Sequence, residues 1–180
     1  MNILVTGFRK YATHDANPSE LVLKQIRRDG VKTLLLPVEY EESRKEFEKV
    51  VGEFKPEAIV ILALSPFIKR PTLEQYGYNE ANSIQPDEKG VLKTSEAIEK
   101  DAPAHIVPSV DLPSIQQYIL SQGGKCDISI DPGRFVGNQI YYLALRETSN
   151  SVMLHLPLPS DYSVEDSFDA VESILDFLDY

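Results

Sequence analysis

A three-layer α/β/α sandwich with a mostly parallel, twisted sheet is the fold that the sequence predicts, and three observations carry that expectation. Short apolar runs alternate with segments of helical period, the pattern of strands joined through crossover helices. Residues 58–64, Ala-Ile-Val-Ile-Leu-Ala-Leu, are apolar without a break, as a strand covered on both faces should be. A chain of 180 residues, 42% hydrophobic and 26% charged, suffices for one continuous core and falls short of two, so residues 1–180 are expected to form a single domain.

The first strand centres on Ile3, Leu4 and Val5 and stops at Thr6-Gly7. Asn17-Pro18-Ser19-Glu20 then supplies an N-cap, a proline at the first helical position and a glutamate at N3. The helix so opened runs to about Arg28, where Asp29-Gly30 ends it. Residues 33–36 form a second strand, closed by Pro37. Tyr40, Phe47, Val50, Val51 and Phe54 recur at helical spacing among many charges, and Lys55-Pro56 stops that amphipathic helix before the central strand 58–64. Residues 65–103 carry turn formers without a strong period, which predicts loops and short hairpin strands. Leu112-Pro113 opens a helix that reaches Gln122 and stops at Gly123-Gly124. Residues 126–130 read as a strand, Asp131-Pro132-Gly133 as a turn, 139–146 as a helix and 152–156 as a buried strand. Val164, Phe168, Val171, Leu175 and Leu178 mark one stripe of a last helix, with Ser163 as its cap toward Asp166.

Composition removes several classes of function. A net charge of -10 argues against a nucleic-acid partner, because such binding draws on clustered Lys and Arg. No apolar run reaches the length that spans a bilayer, and the chain enters a strand at once, so no membrane partner and a cytoplasmic location are expected. The single cysteine, Cys126, excludes an internal disulfide and a cysteine-rich metal site. His14, His105 and His155 lack a second histidine at ligand spacing. Neither a metal nor a cofactor is expected.

Three segments lie just beyond predicted strand ends, where open α/β sheets place their sites. They are Thr6-Gly7-Phe8-Arg9-Lys10-Tyr11 with Asn17-Pro18-Ser19; residues 74–79 with Pro86-Asp87; and residues 133–139 with His155-Leu156-Pro157. In this order and spacing, with Lys55-Pro56 and Gly90, they resemble the pyroglutamyl peptidase I family, cytoplasmic cysteine peptidases that remove N-terminal pyroglutamate. The resemblance covers nearly the whole chain. It implies a nucleophilic cysteine, a histidine base and an orienting carboxylate. Glu74 takes the carboxylate position and His155 the histidine position, but the cysteine position in Pro132-Gly133-Arg134-Phe135-Val136-Gly137-Asn138 is Gly137. Glycine has no atom that can attack a carbonyl. Cys126 lies eleven positions earlier, at the start of a predicted strand whose other end meets the site, too far to substitute. The resemblance also implies a Gly-Gly-Arg stretch serving the oxyanion, where this chain has Pro66-Phe67-Ile68, with Lys69 or Arg70 as partial replacements.

Phe8 and Tyr11 match the family's aromatic walls and are expected either to line a ligand slot together with Asn138 or to plug the core beneath a loop. Ala12-Thr13 stands where the family has Gly-Gly. Three functions follow as alternatives. The first is an inert relative that binds a small ligand or a peptide N-terminus, or that regulates. The second is a hydrolase in which Glu74 and His155 activate water. The third is a structural subunit, because the resemblance implies a homo-oligomer, dimer or tetramer.

Overall fold

The computed structural model describes residues 1–11 and 14–180, so the expectation for Ala12-Thr13 lies outside the described residues. In chain order the elements are β1 (Ile3–Phe8), α1 (Pro18–Leu23), β2 (Val31–Leu36), α2 (Tyr40–Phe54), β3 (Ala58–Leu64), β4 (Thr72–Glu74), β5 (Gly77–Tyr78), β6 (His105–Ile106), α3 (Leu112–Ser121), β7 (Asp127–Ser129), α4 (Val136–Glu147), β8 (Ser151–Leu156) and α5 (Val164–Leu178). Six strands form one sheet in the order β2-β1-β3-β8-β4-β7, and β5 pairs with β6 apart from it. The four strands from β2 to β8 run parallel, whereas β4 lies antiparallel to β8 and carries β7 parallel to itself.

Side chains alternate across each strand, so this sheet separates two cores. Val5, Val60, Leu62, Leu73, Val152 and Leu154 pack against α1, α3 and α5. Leu4, Phe8, Ile59, Ile61, Ala63 and Met153 pack on the opposite face against α2 and α4. The alternation decides which residues can meet at the site. His155 has the parity of Met153, and Thr72 and Glu74 the opposite parity to Leu73, so all three project toward the α2 and α4 layer.

Two helices differ from their expected lengths. The first stops at Leu23 rather than near Arg28, because the Arg27 guanidinium donates to the carbonyls of Lys24 and Ile26 while Arg28 pairs with Glu172 and Asp176 of α5. The fourth begins at Val136 rather than Gln139, so Gly137 sits within its first turn.

The first loop is held by a polar bracket. A Cβ on Gly7 would lie 2.9 Å from the Ser19 carbonyl oxygen, so only glycine lets β1 approach α1 this closely. Asn17 caps the Ser19 amide and accepts from the Ser19 hydroxyl, Ser19 Oγ accepts from the Phe8 amide, and Asn17 Nδ2 donates to the Arg9 carbonyl. On the other side, buried Asp87 accepts from the amides of Tyr40, Lys89 and Val91, and Asn79 Oδ1 accepts from those of Ile98 and Glu99. Among the described residues, no helix is long and apolar enough to cross a membrane.

Candidate functional site

β8 and β4 bring the carboxylate and the imidazole together. Thr72 lies opposite His155 and Glu74 opposite Met153 in the antiparallel register, and Glu74 Oε1 stands 2.8 Å from His155 Nδ1. Glu74 is 3% exposed, so the pair is sealed from bulk solvent on its carboxylate side. Glu74 Oε2 is buried without a hydrogen-bond partner, while Tyr141 of α4 donates its hydroxyl to the Glu74 backbone carbonyl. Burial, and after it the nearby Glu74 carboxylate, push the Tyr141 phenol far above its ordinary range, which keeps it a donor. A carboxylate that accepts from Nδ1 fixes the ring and leaves Nε2 as the atom able to take or give a proton.

The N-terminus of α4 lies over the same face. An ideal Cβ on Gly137 would come within 3.0 Å of Met153 Cε and 3.4 Å of Ala63 Cβ, and Ala63 is the neighbour of His155 across β3 and β8. Gly137 thus stands in the first turn of a helix whose N-cap residue, Phe135, makes no side-chain capping bond. The preceding turn is pinned. Gly133 has φ +76°, Asp131 accepts from its amide and from Arg134, and the Arg134 guanidinium stacks 3.8 Å from the Tyr78 ring centroid. These contacts hold the Asp131 carboxyl below the usual carboxylate range, the Gly133 amide first among them.

Cys126 stays outside the site, for a reason other than the expected one. β7 runs antiparallel to β8, so Asp127 is level with Thr72 and hence with His155. The start of the strand, and not its far end, is level with the imidazole. What separates the thiol from it is the sheet itself: Cys126 packs in the α1, α3 and α5 core on the opposite face, where burial pushes its pKa up to about 12. Among the described residues, Glu74 alone is hydrogen-bonded to the His155 ring, and no Ser, Thr or Cys side chain is.

The other expected site residues divide. Phe8 is 3% exposed and belongs to the α2 and α4 core, so its ring plugs the base of the loop. Tyr11 is half-buried; its hydroxyl donates to the Pro86 carbonyl, and its ring stands 5.9 Å from Phe135, which also meets Tyr40 edge-on at 5.6 Å. Asn138 spends its amide on backbone: Nδ2 donates to the carbonyls of Tyr78 and Glu80, and Oδ1 accepts from the Tyr78 amide. Its side chain ties β5 to α4 and has no donor left for a ligand. Lys69 pairs with Asp161 and Arg70 with Asp127, so both of the cations offered as oxyanion replacements already have carboxylate partners. Phe67 is 91% exposed and covers nothing.

Sequence reasoning missed three neighbours of the site: Met153, Phe135 and Tyr40. Period-two alternation back from His155 would have found Met153. Phe135 lies inside the segment 133–139 already marked, and no local signal marks Tyr40. The two cavities of note, about 320 and 390 Å³, lie along α2 and α4 at Glu48, Glu99 and Glu147, away from His155.

Comparison with known proteins places this geometry in context. A family model described as pyroglutamyl peptidase matches residues 1–162. The pyrrolidone-carboxylate peptidase of Thermococcus litoralis is 25% identical over 177 residues, covering 92% of this chain and 80% of the relative. That of Pyrococcus furiosus is 26% identical over 170 residues, covering 87% and 81%. A crystal structure of the pyrrolidone carboxyl peptidase of Pyrococcus furiosus superposes with a TM-score of 0.92 over 99% of this chain and 98% of that one, at 23% identity, a likeness of fold.

Proposed function

Because the chain belongs to the pyroglutamyl peptidase family, we propose that it is a member without the attacking thiol, which holds a small ligand or a peptide N-terminus rather than cleaving it. One observation carries the reading: the first turn of α4, over the face that bears Glu74 and His155, has glycine at position 137, and the chain's only cysteine is on the far side of the sheet. An acyl-enzyme needs a nucleophile within reach of its base. Gly137 offers none.

A second reading has an observation of its own. The 2.8 Å contact between Glu74 and His155 would let the imidazole act as general base toward water. Against it stand the engaged Lys69 and Arg70, which leave the oxyanion side without free cations from that loop. A preorganised oxyanion donor is worth about 3–4 kcal/mol of transition-state stabilisation.

Purified protein assayed on a pyroglutamyl-aminocoumarin reporter decides between them. No release above buffer is expected. Release that scales with protein concentration and disappears in His155→Ala overturns the inert reading and favours water activation. Calorimetric titration with pyroglutamate and a pyroglutamyl peptide measures the ligand arm. A cytoplasmic location and a homo-oligomeric state, dimer or tetramer, belong to the same proposal. The exposed Phe67, Ile84 and Ile130 are the side chains a second copy would bury, and light scattering after size exclusion gives the mass.

A further inference from the structure

Glycine at position 137 does not leave an open socket beside the imidazole. The Met153 methyl stands 3.0 Å from where a Cβ would be, whereas carbon atoms pack best at about 3.5–4.0 Å. Ala63 Cβ, at 3.4 Å, would be met at nearly ordinary contact. The obstruction therefore comes from one side chain. Met153 is fully buried, precedes His155 by two residues on β8 and so shares its face, and lies across from Glu74 on β4. It belongs to the core beneath α4 with Ile61, Ile140 and Tyr141.

We propose that Met153 closes position 137 to a reactive side chain: its terminal methyl stands 3.0 Å from where such a side chain would begin, so the site is crowded from the strand as well as emptied at the helix. The inference rests on the reading of Gly137 as the former nucleophile position. A methionine end is flexible and can swing. Here it would have to swing into a core that packs as densely as an organic crystal, and its neighbours would have to move with it. A side chain at position 137 alone thus meets the Met153 methyl, which must give by a few tenths of an ångström before a Cβ fits. The site becomes competent for a thiol only when both positions change.

Three variants test this: Gly137→Cys, Gly137→Cys/Met153→Ala and Gly137→Cys/Met153→Val. The last keeps a β-branched strand former should the alanine variant fold poorly, and thermal melts by circular dichroism certify each. The measurement is the rate of alkylation by iodoacetamide as a function of pH, with the modified peptide identified by mass. Cys126, buried and with its pKa near 12, contributes little background. In the double variants the introduced thiol should react at pH 6 at least about tenfold faster than in Gly137→Cys, with a rate profile displaced to lower pH, as expected for a thiol beside imidazole and a helix N-terminus. Adding His155→Ala should return the profile to that of an ordinary thiol. Equal rates in single and double variants overturn the proposal, as does faster reaction without the displacement. Reporter turnover by the unaltered protein would instead overturn the functional reading and leave the alkylation result standing.

Discussion

The two halves of the candidate site differ in what their side chains do for the fold. On β4 and β8, Glu74 and His155 remain buried and bonded to each other at 2.8 Å. At the start of α4, position 137 is glycine, and in the loop after β3 Lys69 and Arg70 pair with Asp161 and Asp127. The physical difference lies in what each half contributes to the fold. Glu74 Oε1 and His155 Nδ1 satisfy one another, and deleting either leaves a polar group sealed from water. A side chain at position 137 would add only contact with the Met153 methyl and Ala63, which the fold does without. Persistence of Glu74 and His155 is therefore weak evidence for catalysis. Their mutual bond gives the pair a structural role that needs no catalysis.

The largest expected effect tests that statement. His155→Ala leaves Glu74 with neither carboxylate oxygen bonded to a side chain, and breaking a buried pair in this way costs about 3 kcal/mol or more. For a chain of this length the melting temperature should fall by roughly 6–12 °C. In a double-mutant cycle with Glu74→Gln the coupling should exceed about 1 kcal/mol. A loss below that level would break the comparison, because the pair would then owe its retention to function.

Asn138 sharpens the contrast inside the depleted half. It adjoins Gly137 on α4, yet its three hydrogen bonds bind the backbone of Tyr78 and Glu80. Asn138→Ala should cost about 2 kcal/mol, measured by urea denaturation, with no effect on the affinity of any ligand held near His155. Gly137→Ala, one residue away, should change stability by less than about 0.5 kcal/mol, because the gain in helix propensity of about 1 kcal/mol is offset by the Met153 methyl at 3.0 Å. In a Met153→Val background the propensity gain should emerge. If it is already full in the unaltered background, the methyl is no obstacle.

Where the sequence was legible, local chemistry and tertiary structure agreed. Asn17-Pro18-Ser19 announces a helix start and is one, α2 and α5 follow their apolar stripes, and the run 58–64 is the buried strand β3. The pairing of Glu74 with His155 was implied by the family resemblance alone, since 81 residues separate them. The antiparallel insertion of β4 between β8 and β7 had no such signal, because a strand of three residues is too short to show a period. That insertion caused the misplacement of Cys126 along its strand. Gly7, Asn17 and Ser19, although prominent in the motif, build the loop bracket and touch no candidate reacting atom. The strongest spacing in the first segment reported the fold rather than a reacting atom.

The smallest expected effect concerns the chain's only thiol and bears on the claim that the site itself has none. Burial holds Cys126 near 12, against about 8.5 for an unfolded cysteine, so near pH 8 the native thiolate fraction is lower by about a thousandfold. Alkylation at that pH should therefore track unfolding and cease when the protein is folded. A raised pKa means that the fold prefers the protonated thiol. The associated stability is complete below about pH 8.5 and is lost as the pH climbs toward 12. Between about pH 9 and 11 the melting temperature of the unaltered protein should thus fall more steeply than that of Cys126→Val, the tyrosines being common to both. Parallel slopes together with rapid alkylation of the folded protein at pH 8 would mean that Cys126 reaches solvent, and the separation of thiol from imidazole by the sheet would lose its force.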